Sequence, residues 1–89
     1  MYLHLGQDLV VRASQVVAIF DLENATIAKT TRVFLARAEK AGQVVNVTDD
    51  LPKSFVLCEE GGQVRVYITQ VSSSTLRKRA AFFQGIANL

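Results

Sequence analysis

The sequence is poor in the residues that build disulfides and metal centres. It contains one cysteine, one histidine and no tryptophan. A single cysteine, Cys58, excludes a disulfide within the chain and any metal site made of several cysteines. Because disulfides belong to oxidising compartments, their exclusion favours a reducing one, and we expect a cytoplasmic protein.

Long apolar runs and a basic leader are also lacking. The first residues, YLHLGQD at positions 2–8, have no basic start followed by an apolar stretch, so they do not have the pattern of a secretory signal. No run approaches the roughly 20 apolar residues of a membrane-spanning helix. We therefore expect a protein without a membrane partner.

No group of residues has the pattern of a catalytic or cofactor-binding centre. His4 lies between two leucines of a short strand, and the sequence implies no orienting carboxylate or nucleophile as its partner. Cys58 lies among apolar residues and is expected to be a small buried hydrophobic side chain. Gly61 and Gly62 lack the strand-to-helix context of a phosphate-binding loop. The sequence therefore predicts a non-enzymatic protein with no metal, cofactor or small-molecule substrate.

What the sequence has in excess is apolar residues. Its 89 residues make a single domain, 1–89. With Gly counted in place of Tyr, about 53% of them are apolar, against the usual share of about 45–50%. Either the core is unusually well filled or apolar surface is shared with another subunit.

Apolar periodicity and turn residues predict an α+β fold, a small and largely antiparallel β-sheet with one central and one C-terminal α-helix. Strands are predicted over residues 2–5, 9–12, 16–22, 43–48, 54–59 and 64–69. The central helix is predicted over 26–41, with Phe34 on its apolar face. The C-terminal helix is predicted from a cap at Ser72 or Ser73 to about residue 84.

Two of the predicted strands are apolar on both sides. In the third strand, Ala18 and Phe20 lie on one side and Val17 and Ile19 on the other. The fifth strand shows the same two-sided pattern, and such strands need cover on both faces. One helix can cover one face. Either the C-terminal helix or another subunit covers the second, and the sequence leaves both alternatives open.

The C-terminal helix carries two adjacent phenylalanines. One helical face cannot bury both Phe82 and Phe83, and Phe82 falls nearer Ile86 than the main apolar stripe. Exposed apolar side chains of this size indicate an interface. We predict an oligomer interface that contains Phe82, Phe20 and Ile86, with a second copy of the chain as the partner.

Positive charge is concentrated in the C-terminal third. The net charge is only +2, but no acid follows Glu60, whereas Arg77, Lys78 and Arg79 all do. Hydroxyls and exposed amides at a helix start, with three cations within two turns, can hold phosphate groups. The same residues equally suit a helix cap followed by a solvated basic turn. Arg32 adds a cation at the flank of the central helix's basic face.

Four stretches, in order along nearly the whole chain, resemble the RemA/RemB-like family of bacterial extracellular-matrix regulators, and its RemB branch in particular. They are YLHLG at 2–6, VVAIFD at 16–21, PKSFV at 52–56, and VY at 66–67 followed by SSSTLRKR at 72–79. The resemblance implies a role in regulating biofilm-matrix genes. For the RemA branch it implies a homo-oligomer that contacts the DNA backbone through a loop carrying several arginines just before the fifth strand.

At the positions that match this loop, the sequence reads Leu51-Pro52-Lys53-Ser54, in which only Lys53 is basic. Two hypotheses follow. The first is a homo-oligomeric regulator that binds DNA phosphates non-specifically, with contacts from Lys53, Arg77, Lys78, Arg79 and Arg32. The alternative is a protein-interaction or scaffold module with no nucleic-acid role, whose basic residues form salt bridges between subunits.

Overall fold

Two β-sheets and two α-helices make up the described part of the chain, which in this computed structural model comprises residues 1–22 and 29–88, with side chains up to residue 80. The elements are β1 (Tyr2–Gly6), β2 (Leu9–Arg12), β3 (Val16–Asp21), α1 (Lys29–Lys40), β4 (Val44–Asn46), β5 (Ser54–Glu60), β6 (Gln63–Thr69) and α2 (Ser73–Asn88). The predicted α+β class is confirmed. Neither helix in these ranges is long and apolar enough to span a membrane.

The strands form a separate hairpin and a four-stranded sheet. β1 and β2 pair with each other, antiparallel, while the larger sheet has the order β3-β5-β6-β4. β3 pairs antiparallel with β5, and β5 with β6, which agrees with the predicted largely antiparallel sheet, but β4 pairs parallel with β6. This parallel pair is possible because the connection from β4 passes through β5 before the chain returns to β6.

Most predicted boundaries agree with the structure to within one or two residues. β4 is the exception among the strands, because it spans three residues where six were predicted. Its pairing stops soon after the N–H of Val47 reaches the carbonyl of Ile68 (2.8 Å), where the chain turns into a loop. α2 runs to Asn88, past the predicted end, since no proline interrupts it and Gly85 is tolerated. The predicted start of the central helix, before Lys29, lies outside the described residues.

The hairpin and α2 together cover one face of the larger sheet. Leu3, Leu5 and Val11 from the hairpin pack with Val56 and Cys58 from β5, and Leu76 joins them from α2. All six are buried, with at most 6% of their surface exposed. The chain itself therefore covers this second face of the larger sheet, because the hairpin and the C-terminal helix pack on it together.

Helix α1 covers the opposite face with a small contact surface. Ala38 packs against Phe55 and Val66, and all three are buried. Leu35 packs at the edge of this cluster, but Phe34, predicted to face the core, is 38% exposed. Because the helix meets the sheet mainly through an alanine and a leucine, part of its apolar face stays in solvent.

Gly6 lets the hairpin turn approach the end of β6 closely. Its φ of +109° belongs to a region that favours glycine, and a Cβ there would lie 3.4 Å from both Thr69 Oγ1 and Val71 Cγ2. The buried hydroxyl of Thr69 donates to the carbonyl of Leu5 and accepts the N–H of Val71 (3.1 Å). The hairpin, β6 and the entry to α2 are thereby joined at one point.

Candidate nucleic-acid interface

The first turn of α2 is capped by Ser72. Its Oγ accepts the N–H of Thr75 (3.2 Å), and its carbonyl accepts the N–H of Leu76 (3.0 Å). Ser73, the other predicted cap, is buried at 6% exposure, whereas Ser74 is exposed with its Oγ 3.1 Å from that of Ser72. The hydroxyl cluster therefore closes the helix end, as the more ordinary of the two sequence interpretations predicts.

Lys53 lies beside this helix start, although it is distant in sequence. Its N–H donates to the carbonyl of Thr69 (2.9 Å), and the next residue, Ser54, donates its hydroxyl to the carbonyl of Val71 (2.6 Å). These two bonds hold the beginning of β5 against the segment that leads into α2. Lys53 is exposed, and its backbone lies beside the segment that leads into α2.

Arg77 and Arg79 bind α2 to the sheets beneath it. Arg77 donates to the carbonyl of Ile19 in β3 (3.0 Å), and Arg79 donates to the carbonyl of His4 in β1 (2.9 Å). In both contacts the acceptor is a backbone carbonyl and not a carboxylate. Both guanidinium groups are exposed and keep further N–H donors for a second ligand.

The remaining predicted cations are placed differently. Lys78 is exposed and points away from the core, because it lies about 200° around the helix from the buried Leu76. Arg32 is exposed on α1, which covers the opposite face of the larger sheet from α2. The structure therefore places Arg77, Lys78 and Arg79 in the first turns of α2, with the two arginines reaching different strands, and Lys53 beside the segment that leads into this helix. Arg32 lies apart from them on α1.

Of the predicted interface residues, one is described with its side chain. Phe20 is 40% exposed and stacks on Phe55, with ring centroids 4.6 Å apart and an interplanar angle of 16°. The side chains of Phe82 and Ile86 lie outside the described residues. An interface at Phe20 stays a prediction, compatible with a phenylalanine that its own chain covers only on one side.

His4 and Cys58 are not assembled into a chemical centre. The exposed imidazole of His4 donates from Nε2 to the carbonyl of Gln7 (2.8 Å), closing the hairpin turn. Cys58 is buried in the core beneath α2, and burial raises the pKa of its thiol to about 11. Across the residues that the structure describes, no three His, Cys, Asp or Glu side chains are grouped to hold a metal ion.

The stability of the fold should fall between pH 9.0 and about 11 through Cys58. In this range the thiol ionises freely in the unfolded chain, whereas the folded protein keeps it protonated, so rising pH favours unfolding. Cys58→Ala should flatten this part of the profile, measured by urea denaturation. Burial, and next the charge of the Cys58 thiolate, raise the pKa of Tyr67, so the difference between the two proteins reports Cys58 together with its effect on Tyr67. Equal pH slopes for the two proteins would show that the thiol is accessible in the folded state.

Sequence reasoning missed one further pair of features. Leu51 is 86% exposed in the loop before β5, and Val33 is 41% exposed on α1. A signal for the first was present, because Leu51 stands between two aspartates and a proline in a predicted loop. For Val33 there was little signal in the sequence, since Val33 and Phe34 are adjacent on the helix and their apolar character does not show how far either side chain is buried.

Fold and site together define a small α+β protein with an exposed basic region at the start of its C-terminal helix. The family model described as "RemA-like: Extracellular matrix regulatory protein A-like" matches residues 2–80. Extracellular matrix regulatory protein B of Bacillus subtilis (strain 168) is 38% identical over 82 residues, covering 92% of this chain and 93% of that protein. The chain belongs to the RemA-like family of extracellular-matrix regulatory proteins.

Proposed function

We propose that this protein is a homo-oligomeric regulator of extracellular-matrix genes that holds DNA by its phosphates. The observation that carries the proposal is that Lys53, Arg77, Lys78 and Arg79 are all exposed and lie in the first turns of α2 or beside the segment that leads into it. The names of the family and of its Bacillus relative support the regulatory role.

Phosphate contacts of this kind position a protein on DNA without reading its sequence. One subunit offers few cations, so a single copy binds weakly. An assembly repeats the same cations, and linked weak sites gain through effective concentration. DNA binding by this protein therefore depends on its assembly.

A scaffold function without nucleic acid is the second candidate, and one observation favours it. Arg77 and Arg79 already donate to carbonyls of their own chain, at Ile19 and His4. If the two arginines serve only to anchor α2, Lys53 and Lys78 are the two of these four cations that have no anchoring role. The two candidates differ in whether DNA affinity depends on these lysines.

We expect Lys53→Ala and Lys78→Ala each to weaken binding to duplexes of unrelated sequence by a similar factor. Each lost phosphate contact should lower the slope of log affinity against log salt by about one. Fluorescence anisotropy over a salt series measures this slope. Both lysines are exposed, so their removal separates contact from folding better than removal of the two anchoring arginines.

Lys40→Ala is the matched control, because Lys40 is an exposed lysine on α1, on the other side of the larger sheet. Its affinity and salt slope should equal those of the parent. A parent protein that binds no duplex even at low salt would exclude the DNA function and leave the scaffold function.

A further inference from the structure

β3 is the longer of the two edge strands of the larger sheet. It spans six residues, whereas β4 at the other edge spans three. Proteins protect long edges with bulges, prolines or charged side chains, because free main-chain groups pair readily with another chain. β3 has a bulge between Val16 and Ala18 and ends on Asp21, but its other residues are all apolar. The middle of the strand therefore has none of these protections.

Ile19 directs its main-chain groups away from the sheet. Along a strand these groups face alternate sides, and the N–H of Leu22 bonds to the carbonyl of Lys53 just before β5 (2.8 Å). Phe20 therefore faces β5 in the same way, and Ile19 faces outward. The carbonyl of Ile19 accepts an N–H of Arg77 (3.0 Å). Among the residues that the structure describes, the N–H of Ile19 has no partner.

A groove accompanies this edge on the face of the sheet that α2 covers. It has a volume of about 220 Å³, and its lining includes Val17 and Ile19 from β3 with Arg77 and Ala80 from α2. Val17 is 61% exposed. Arg77 brings positive charge, and none of the described lining residues is acidic. We call this the α2-side groove, and its charge suits an acidic side chain.

The groove on the opposite face of β3 is apolar. It has a volume of about 280 Å³ and is lined by Phe20, Phe34, Phe55 and Leu57, with two threonines of α1. Phe20 is stacked on Phe55 but stays 40% exposed, and Phe34 is 38% exposed. An apolar side chain placed here would cover both exposed rings. We call this the α1-side groove.

We propose that β3 accepts an extended segment of another protein as a fifth strand of the larger sheet, and that this segment alternates apolar and acidic residues. Successive side chains of a strand point to opposite faces of its sheet. The apolar side chains then enter the α1-side groove, and the acidic ones enter the α2-side groove. In strand addition, main-chain hydrogen bonds provide affinity and the grooves for alternate side chains provide specificity.

Arg77 exchanges its partner in this complex. In the free protein its guanidinium occupies the carbonyl of Ile19, which an added strand needs for its own N–H. The N–H of the added strand takes that place, and the released guanidinium binds the acidic side chain beside it. Arginine binds a carboxylate through two parallel hydrogen bonds. The exchange is therefore favourable for a segment that has an acidic residue at this point.

Charge also distinguishes this partner from a second copy of the chain. Two β3 strands paired about a twofold axis would bring both Arg77 side chains together, because each lies at the middle of its strand. Like charges across an interface are unfavourable. An acidic segment instead neutralises Arg77. This inference goes beyond the proposed function and holds whether or not the protein binds DNA.

A labelled, end-capped octapeptide in which valine and glutamate alternate tests the proposal on the full chain, by fluorescence anisotropy. It should bind about tenfold or more tightly than a peptide with all valines before all glutamates, or one with lysine for glutamate. Arg77→Glu should reverse the preference between the glutamate and lysine peptides. Phe20→Glu should weaken binding about tenfold. Val10→Glu is its matched control, an exposed apolar residue of β2, and should leave binding unchanged.

Methylation of the peptide's main-chain nitrogens separates strand pairing from attraction between side chains. In a paired strand, the N–H groups of every second residue face the neighbouring strand. Methylation at all valines or at all glutamates should therefore abolish binding in one case and preserve it in the other. Loss in the glutamate series indicates an antiparallel strand, and loss in the valine series a parallel one.

Ile19→Pro tests the same pairing from the side of the protein. It removes the outward N–H without removing a hydrogen bond to β5, and proline is tolerated in this position of an edge strand. The variant should bind the alternating peptide about tenfold more weakly. A circular dichroism spectrum equal to that of the parent establishes that it is folded.

Three results would overturn the proposal. The first is an equal effect of the two methylation patterns, and the second is an unchanged peptide preference in a folded Arg77→Glu variant. The third is a parent that binds no peptide while Ile19→Pro lowers its mass in sedimentation, which would assign the edge to a second copy. None of these results bears on the affinity for DNA, which is measured separately.

Discussion

Replacing Phe55 by alanine should lower the free energy of unfolding by about 3–5 kcal/mol, the largest loss expected for a single side chain here. Phe55 is 1% exposed and packs with Ala38 and Val66 beneath α1. Small domains have about 5–15 kcal/mol in total, so this loss brings the protein close to unfolding. Urea denaturation at one fixed protein concentration measures it, because assembly makes stability depend on concentration.

Phe20→Ala is the matched control for this substitution. Phe20 is stacked on Phe55 but is 40% exposed, so its removal leaves little cavity, and we expect a loss of about 1–2 kcal/mol. The double variant should show a coupling of about 0.5–1.5 kcal/mol from the stacked pair. Equal losses for the two single variants would mean that α1 does not seal the sheet over Phe55.

Replacing Leu76 by alanine should cost about 2–5 kcal/mol and should loosen α2 more than the sheet. Leu76 is fully buried among Leu3, Leu5, Val56 and other members of the core beneath the hairpin and α2. The cavity left by the substitution lies directly under the helix. Urea denaturation gives the energy, and hydrogen exchange should show that the amides of α2 lose protection first.

Lys78→Ala is the control on the same helix. It lies two residues away and is exposed, so we expect a change within about 0.5 kcal/mol. If Leu76→Ala lowered the free energy of unfolding no more than this control, α2 would be only loosely packed against the rest of the protein. The cations around its start would then lack the fixed positions that the proposed function requires.

The candidate site was predictable in composition but not in arrangement. Arg77, Lys78 and Arg79 are adjacent in sequence, so their common position on α2 required only the helix. That Arg77 and Arg79 bind carbonyls of β3 and β1 depends on contacts more than 50 residues apart along the chain. No local sequence pattern predicts a contact between residues so far apart along the chain.

The sequence by itself determined the class of the fold, the position of each element and the residues of the basic region. These depend on local properties, which act between near neighbours in the chain. Examples are the alternation of apolar residues along β6, the cap at Ser72 and the glycines of the β5–β6 turn. Only the tertiary structure decided the parallel pairing of β4, the exposure of Phe34 and Leu51, and the cover over the second sheet face. Each of these depends on which distant segments compete for the same apolar surface, and that competition is settled only when the whole chain packs.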